Sequence, residues 1–285
     1  MIAEFTIENF FSIKSPQKIS FEPSSDNFMS DEYSYEVKDG VRLLKLGIIY
    51  GANASGKTNI LNAVEFFRML VLRMPKDRNE KTGVVPFMLD DTSRNERTKM
   101  SMVFYINKSK YILTFELDAK YIYSETLVVY DSIRPTKLYS RSYDATTDST
   151  TIDFGVNLKM PRKSQDVISG NTINNCSVLA AFGKSNVERT RLNDVYDYFA
   201  KQVKDVLTLY GGLIILKVIM ETKYQNLINY IQEQISDGQL GPGEKVPSEN
   251  QLSEQFHISR QTVRKAIGTL EEDGWCRGSV AVALM

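Results

Sequence analysis

Residues 43–60 read LLKLGIIYGANASGKTNI and decide the fold of the larger part of the chain. The apolar run 43–50 is short and ends at a glycine, which is typical of a buried strand. Residues 51–58 fit the pattern G-x-x-x-x-G-K-[ST]. The next apolar side chains recur at helical spacing and give one apolar face, formed by Ile60, Val64, Phe67 and Val71. The stretch therefore predicts a phosphate-binding loop between a strand and a helix.

The residue types in this loop suit a bound phosphate. Gly51 and Gly56 let the backbone curl so that successive N–H groups point at an anion, and the following helix adds its positive dipole end. Lys57 would reach the β- and γ-phosphates, and the Thr58 hydroxyl would be a ligand of Mg²⁺. The alternative is a glycine-containing turn that carries a lysine by chance.

Short alternating apolar runs lie on both sides of the loop and helix. Two of them, 2–7 and 17–21, precede the loop. Four more follow the helix and are separated by turn-like segments, at 100–106, 111–117, 121–130 and 137–143. Such alternation predicts half-buried strands. We expect an antiparallel meander inserted after the first strand–loop–helix unit.

These features resemble the ATP-binding head of SMC/RecF/OLD-like ABC-type ATPases, in the subgroup of AAA ATPases of phage-defence systems. The resembling segments are ENFFSIKS (8–15), YGANASGKTNILNAV (50–64) and PFMLDD (86–91), and the resemblance covers about residues 1–210. It implies that ATP and Mg²⁺ are bound by this loop, with Thr58 as the metal ligand and with contacts from Gly51, Asn53, Ala54, Ser55, Gly56, Lys57, Thr58 and Asn59.

The family's later motifs are not found. Its members end a four-residue apolar strand in Asp-Glu, the Walker B segment, and take a signature motif from a partner head. Residues 210–225, YGGLIILKVIMETKYQ, contain an apolar run without that acidic end. We interpret 1–212 as the N-terminal portion of a head. Residues 213–220 are interpreted as a junction, although a buried strand remains the alternative. Nucleotide binding is expected and ATP hydrolysis is left open.

From residue 221 the pattern changes to short amphipathic helices. Residues 222–236 place Leu227, Ile231 and Ile235 on one face. Residues 248–251 form an S-x-x-Q capping box that opens a second helix, and Ser259 caps a third. Three short helices with a tight turn between the last two predict a helix-turn-helix.

The first residues of the third helix would enter the major groove of DNA. Arginine pairs with guanine, glutamine with adenine, and threonine with phosphate or a thymine methyl group. The candidate contacts in this sequence are Arg260, Gln261, Thr262, Arg264 and Lys265, of which Lys265 suits a phosphate. The alternative is a small helical hairpin with a solvated basic turn.

Residues 246–275, VPSENQLSEQFHISRQTVRKAIGTLEEDGW, resemble the winged-helix domain of GntR-family bacterial transcription regulators, in the branch of the arabinose-type repressors. The resemblance covers residues 221–276. It implies DNA contacts from Ser248, Asn250, Ser259, Arg260, Thr262 and Arg264, and it places His257 at the helix-turn-helix corner. The family's two-stranded wing is expected to be incomplete here, because its G-x-G-T-F-V tip is not found.

Bulk composition excludes several classes of protein. The chain has 285 residues, with 35 basic and 35 acidic ones, so net charge gives no hint of a partner. Two distant cysteines, Cys176 and Cys276, suggest neither a disulfide framework nor a zinc site. No secretory signal is found, and no apolar run approaches the about 20 residues of a membrane span. A cytoplasmic protein is expected.

The predicted fold is an α/β P-loop nucleotide-binding head with an antiparallel β meander, plus a small all-α (winged) helix-turn-helix domain at 221–285. The predicted function is a GntR-type DNA-binding transcription regulator that carries an ATP-binding head fragment in a chimeric chain. Expected partners are double-stranded DNA and ATP, and a homodimer is left open. The alternatives are an ATPase of a defence or repair system with a passive tail, and a non-functional gene fusion.

Overall fold

The computed structural model describes residues 1–25, 30–49, 52, 55–203, 214–217, 223–241, 243–256, 258–272, 275–277 and 282–283. Backbone contacts divide the chain into two compact units, Met1–Ile219 (unit 1) and Met220–Met285 (unit 2). Within the described residues, no helix combines the length and apolar character that crossing a membrane requires.

Unit 1 contains eleven strands and five α-helices among its described residues. The strands are β1 (Ile2–Glu8), β2 (Gln17–Ser20), β3 (Ser34–Lys38), β4 (Val41–Leu44), β5 (Leu46–Ile49), β6 (Thr98–Ile106), β7 (Ser109–Leu117), β8 (Ile122–Tyr130), β9 (Thr136–Asp144), β10 (Ser149–Phe154) and β11 (Ile214–Lys217). The helices are α1 (Ser30–Tyr33), α2 (Lys57–Leu72), α3 (Arg162–Asn171), α4 (Val178–Gly183) and α5 (Arg191–Asp197).

The described part of unit 1 is dominated by a seven-stranded antiparallel sheet in the order β10-β9-β8-β7-β6-β1-β2. The predicted meander is therefore confirmed, and it continues into β10, which the sequence analysis did not predict. The first strand joins the same sheet, because β1 pairs with both β2 and β6. Apolar side chains alternate along these strands, so one face of the sheet is available for a core.

The core of unit 1 lies between the sheet and α2. Phe67, on α2, is fully buried and meets Phe5 and Phe115 edge-on, at ring distances of 5.7 and 5.1 Å. Val64 and Val71 are buried on the same side of the helix, as the sequence predicted. Helix α4 is almost wholly apolar and lies in the same core.

A buried polar cluster joins the sheet to the helical layer. Glu125, fully buried on β8, accepts hydrogen bonds from the Tyr139 hydroxyl at 2.6 Å and from the Val178 N–H at 2.8 Å. Arg141 lies opposite Glu125 on β9 and donates to the backbone carbonyls of Ile122 and Asn174. These bonds tie β8 and β9 to the chain just before α4, since Asn174 and Val178 precede or begin that helix.

The predicted buried strand at 43–50 is wrong in two respects. The run is divided at Lys45 into β4, which pairs with β3, and β5, which pairs with β11. The ammonium of Lys45 donates to the backbone carbonyls of Asp31 and Glu32 at 3.1 and 2.8 Å, which holds the chain at the division. Strand β5 is also not buried on both faces, because Leu46 is exposed.

Residues 214–217, within the predicted junction, form a strand. Strand β11 pairs antiparallel with β5, with Ile214 opposite Ile49 and Lys217 opposite Leu46. Of the two alternatives left open for this stretch, a strand of the head is therefore the one that the structure has at these four residues. The boundaries at 212 and 221 remain predictions.

Unit 2 consists of three helices and a short ladder in its described part. The helices are α6 (Lys223–Ser236), α7 (Glu249–Phe256) and α8 (Arg260–Glu272), and the ladder joins β12 (Cys276–Arg277) to β13 (Val282–Ala283). The three helices enclose an apolar core formed by buried side chains such as Leu227, Ile231, Ile235, Leu252, Val263 and Leu270. Trp275 packs against this core. The wing is thus present as a ladder of two residue pairs.

Candidate nucleotide-binding loop and nucleic-acid interface

Helix α2 begins at the predicted phosphate-binding loop. Gly56 precedes its first residue with φ of 87°, a left-handed conformation that favours glycine. No side chain caps this end of the helix. Of the loop's candidate residues, Ser55, Gly56, Lys57, Thr58 and Asn59 are described, whereas Gly51, Asn53 and Ala54 lie outside the described residues.

Lys57 lies folded against its own loop. Its side chain is 9% exposed, and its ammonium donates to the carbonyl of Ala52 at 2.7 Å. The Ser55 N–H donates to the same carbonyl at 3.3 Å. Thr58, one residue further along the first turn, is exposed. The loop therefore presents the Thr58 hydroxyl at the positive end of a 16-residue helix and holds a largely buried ammonium beside it.

Ser12 is a neighbour of the loop that sequence reasoning missed. Its hydroxyl accepts a hydrogen bond from the Asn59 side chain at 2.7 Å. The approach to Gly56 is so close that a Cβ there would lie 2.9 Å from the Ser12 hydroxyl oxygen. A tight turn closed by mutual backbone bonds between Phe10 and Ile13 holds Ser12 at its tip. The only sequence signal was the segment ENFFSIKS, to which no residue role had been given.

In unit 2, both predicted helix caps are present. The Ser248 N–H donates to the Gln251 side chain at 2.9 Å, and the Gln251 N–H donates to the Ser248 hydroxyl at 3.4 Å. At the start of α8 the Thr262 N–H donates to the Ser259 hydroxyl at 3.1 Å. These bonds satisfy N–H groups that a helix start leaves without partners, so they fix where α7 and α8 begin.

The predicted DNA contacts of α8 are brought together on its outer face. Arg260, Gln261, Arg264 and Lys265 are exposed, while Val263, Ala266 and Leu270 on the other side of the helix are buried. Positions i, i+1, i+4 and i+5 share one side of an α-helix, which explains the grouping. Ser248 and Asn250 are exposed at the start of α7, and His257 lies outside the described residues.

Besides the capping serines Ser248 and Ser259, two further predicted contacts already have partners within unit 2. The Thr262 hydroxyl is 2.8 Å from that of Ser259, and the side chain is only half exposed. The Arg264 Nε donates to both carboxylate oxygens of Glu249, at 2.9 and 3.0 Å. This ion pair raises the pKa of Arg264 and joins α8 to the start of α7. No sequence pattern indicates this role for Glu249, because its partner lies 15 positions away on another helix.

Two family models match separate parts of the chain. Residues 47–171 match the model described as "AAA domain, putative AbiEii toxin, Type IV TA system". Residues 223–277 match "Bacterial regulatory proteins, gntR family". Residues 223–277 are a GntR-type helix-turn-helix domain. The predicted resemblances are thereby confirmed for both parts, as is the fold class, a sheet-rich ATPase-like region followed by a helical GntR-type domain.

Curated relatives match through the GntR-type domain. The arabinose metabolism transcriptional repressor of Geobacillus stearothermophilus is 47% identical over 53 residues, which are 19% of this chain and 15% of the repressor. The transcriptional repressor NagR of Bacillus subtilis is 41% identical over 51 residues, 18% of this chain and 21% of NagR. The chain therefore spans only about a sixth to a fifth of these relatives' length.

Among solved structures, a crystal structure of "mutant ORR3 in complex with NTD of AraR" also matches. The matched chain is 36% identical, the match covers 22% of this chain and 96% of that chain, and the TM-score is 0.22. A TM-score this low supports no statement about the fold.

Proposed function

We propose that this chain is a transcription regulator that binds double-stranded DNA through its GntR-type domain. The observation that carries the proposal is the exposed face of α8, where Arg260, Gln261, Arg264 and Lys265 stand on one side of a helix whose other side closes an apolar core. The relatives that match this domain are named as transcriptional repressors, which favours the same function.

The proposed binding mode places the start of α8 in the major groove. Arg260 and Gln261 are the base-reading side chains, because arginine matches the two acceptors of guanine and glutamine matches the edge of adenine. Lys265 contacts phosphate. Ser248 and Asn250, at the start of α7, contact the backbone beside the groove, where a helix N-terminus favours an anion. Arg264 reads the groove while Glu249 orients its guanidinium.

Fluorescence anisotropy of a labelled duplex tests this proposal. We expect the full chain to bind with an affinity that falls steeply with salt, and Arg260→Ala to weaken binding by about ten- to hundredfold, since a bidentate base contact contributes about 1–3 kcal/mol. Lys245→Ala, which removes an exposed charge from the loop before α7, is the control. Equal affinity of Arg260→Ala and the wild type would count against groove reading.

We further propose that unit 1 binds ATP with Mg²⁺ at the loop before α2. Gly56, Lys57 and the uncapped helix end fit a phosphate chain, because they supply a tight turn, a cation and a positive dipole end. Among the described residues, Thr58 supplies a hydroxyl suited to one position of the Mg²⁺ shell. When bound, the ion would neutralise phosphate charge. Ser12 and Asn59 fix the loop against the turn after β1.

Binding of a fluorescent ATP analogue tests the loop. Lys57→Ala removes the cation, and Gly56→Ala forces a side chain into a left-handed conformation and towards Ser12, so both variants should lose most of the affinity. Lys81→Ala, at an exposed lysine outside the loop, should bind like the wild type. Retained affinity in Lys57→Ala would contradict the assignment. Phosphate release that depends on Lys57 would favour the alternative function, an ATPase with a passive tail.

A further inference from the structure

A second candidate site in unit 1 is a cavity of about 440 Å³ at one end of the sheet. It lies where β8 ends and β9 begins, and it is closed by the segment after β10 and by the residues that lead into α5. Leu138 and Leu158, both buried, form an apolar part of the lining. A volume of this size lies in the range of small-molecule sites, about 300–1,000 Å³.

Gly155 brings one wall of the cavity against the sheet. Its N–H donates to the carbonyl of Leu138 at 2.8 Å. A Cβ at this position would lie 1.9 Å from the carbonyl oxygen of Lys137, so a residue with a side chain could not approach β9 as closely. The short helical turn Val156–Leu158 follows, and it ends at Lys159 in a left-handed conformation with φ of 52°. The wall is therefore a built feature that places Lys159 at the cavity.

The lining carries more positive than negative charge. The lining includes three cationic residues, Lys159, Arg189 and Arg191, and a single carboxylate, Asp131. Asp131 is already satisfied, because it accepts hydrogen bonds from Arg191 and from the Ser109 hydroxyl, each at 2.7 Å. The charges of Lys159 and Arg189 are therefore in excess over the lining carboxylates.

Neither of these two cations is strongly engaged elsewhere. Arg189 reaches Asp194 only at 3.6 Å, with the two side chains 78% and 39% exposed, a geometry of little energetic weight. The Lys159 side chain forms no ion pair within the described part of the chain. The backbone of Lys159 lies in the left-handed region, which costs a non-glycine residue energy. Both are available to a ligand.

The cavity is separate from the nucleotide loop. The turn that carries Ser12 follows the end of β1, where Glu8 pairs with Lys99 near the start of β6. The Ser109 hydroxyl donates to Asp131 of the cavity lining. Ser109 begins β7 and pairs with the last residue of β6, so the cavity lies beyond the opposite ends of these strands. The length of the nine-residue strands, about 30 Å, separates the two places.

We propose that this cavity binds a small organic molecule that carries a phosphate or a comparable dianionic group. Lys159 and Arg189 hold the dianion through charge-assisted hydrogen bonds, and the organic part occupies the rest of the cavity above the buried Leu138 and Leu158. Thr136 and Thr190 add hydroxyls at the lining. The concave shape favours a small molecule over a nucleic-acid backbone, which would need an open groove.

Isothermal titration calorimetry of the full chain tests the proposal in a Lys57→Ala background, which removes the cation of the nucleotide loop. The probes are inorganic pyrophosphate and succinate, which separate phosphate from dicarboxylate recognition. We expect at least one probe to bind and the added pair Lys159→Gln and Arg189→Gln to weaken it at least about tenfold. The matched control pair is Lys76→Gln and Lys120→Gln, two exposed lysines outside the cavity, and it should bind like its parent.

Two results would overturn the proposal. One is the absence of binding by either probe at millimolar concentration. The other is equal loss of affinity in the cavity pair and in the control pair, which would show a general charge effect. A third measurement separates the small-molecule site from a nucleic-acid surface: if Lys159→Gln and Arg189→Gln weaken a labelled duplex but neither probe, the cavity assignment is wrong.

Discussion

Glu249 and Arg264 form a pair whose two members should affect DNA binding in opposite ways. The carboxylate holds the guanidinium through Nε and stands at the start of α7, beside the proposed DNA surface. Its charge repels phosphates, yet its hydrogen bonds orient Arg264. A side chain that is held in place in this manner loses less entropy when it contacts a base, so Glu249 contributes to specificity more than to affinity.

Glu249→Gln should therefore raise the affinity for random duplex and reduce the ratio between preferred and random duplex. The physical reason is the loss of one negative charge at the surface together with the loss of a charged partner for Arg264. Anisotropy titrations with both duplexes measure the ratio. Glu254→Gln makes the same charge change at an exposed position of the same helix and should leave the ratio unchanged. An unchanged ratio in Glu249→Gln would show that the pair does not orient Arg264.

Glu125 gives unit 1 a dependence on pH. Burial raises its pKa from 4.5 to about 7, although the bonds from Tyr139 and Val178 act in the opposite direction. Between these two values the folded state keeps a proton that the unfolded state has lost. Unit 1 is therefore expected to lose stability as the pH rises through this window, by on the order of 3 kcal/mol for this group alone.

Urea unfolding at pH 5 and pH 8, followed by the near-ultraviolet circular dichroism of the tyrosines, isolates this contribution. Glu125→Gln removes the titrating group but keeps its size. The variant should be more stable relative to the wild type at pH 8 than at pH 5, because only the wild type loses stability as the pH rises. Glu188→Gln, at an exposed glutamate, supplies the control. A difference that does not change with pH would refute the assignment to Glu125.

At the scale of elements, the start of α8 depends on a single side chain. Ser259→Ala removes the oxygen that accepts the Thr262 N–H, and we expect unit 2 to lose about 1 kcal/mol of stability. Trp275, the chain's single tryptophan, packs against the core of unit 2, so its fluorescence follows the unfolding of that unit alone. Gln261→Ala, exposed on the same helix, should change stability by less than about 0.5 kcal/mol. Equal effects of the two changes would contradict the capping role.

Elements with local signals could be predicted from the sequence. The capping residues Ser248 and Ser259, Gly56 before α2 and the alternation along β6–β9 each indicate a local structure within a few residues, and the structure has the corresponding helices and strands. The interior positions of α2 and α6 followed in the same way from helical spacing. Local chemistry sufficed at these places because the tertiary structure agrees with it.

Features that depend on distant contacts were not predicted. The division of 43–50 at Lys45 rests on carbonyls of α1, and the role of Ser12 rests on Asn59, 47 positions away. The burial of Glu125 and Arg141 could have been predicted. Each lies at a strand position whose alternate neighbours are buried, so its side chain is on the face of the sheet that covers the core. A charged residue at such a position signals a buried partner. Amino-acid composition alone does not distinguish a charged residue that is buried from one that is exposed.

At the scale of the whole molecule, the chain combines parts that match two different families. Each candidate site is made of residues from one unit only, and each unit has its own apolar core. Coupling between sites requires an element whose two states both ligands influence, and the residues that the structure describes at the two sites include none that belongs to both. We therefore expect Lys57→Ala to leave DNA affinity unchanged and Arg260→Ala to leave binding of the ATP analogue unchanged. A shift of more than about threefold in either titration would show coupling.

The central claim, that α8 reads DNA sequence, is tested most directly by selecting bound duplexes from a randomised pool with the wild type and with Arg260→Ala. We predict that the wild type enriches a defined motif and that Arg260→Ala enriches the same motif with one position relaxed, because a lost base contact removes discrimination at its own base pair. Enrichment of no motif by the wild type, or of an identical motif by both proteins, would contradict the account.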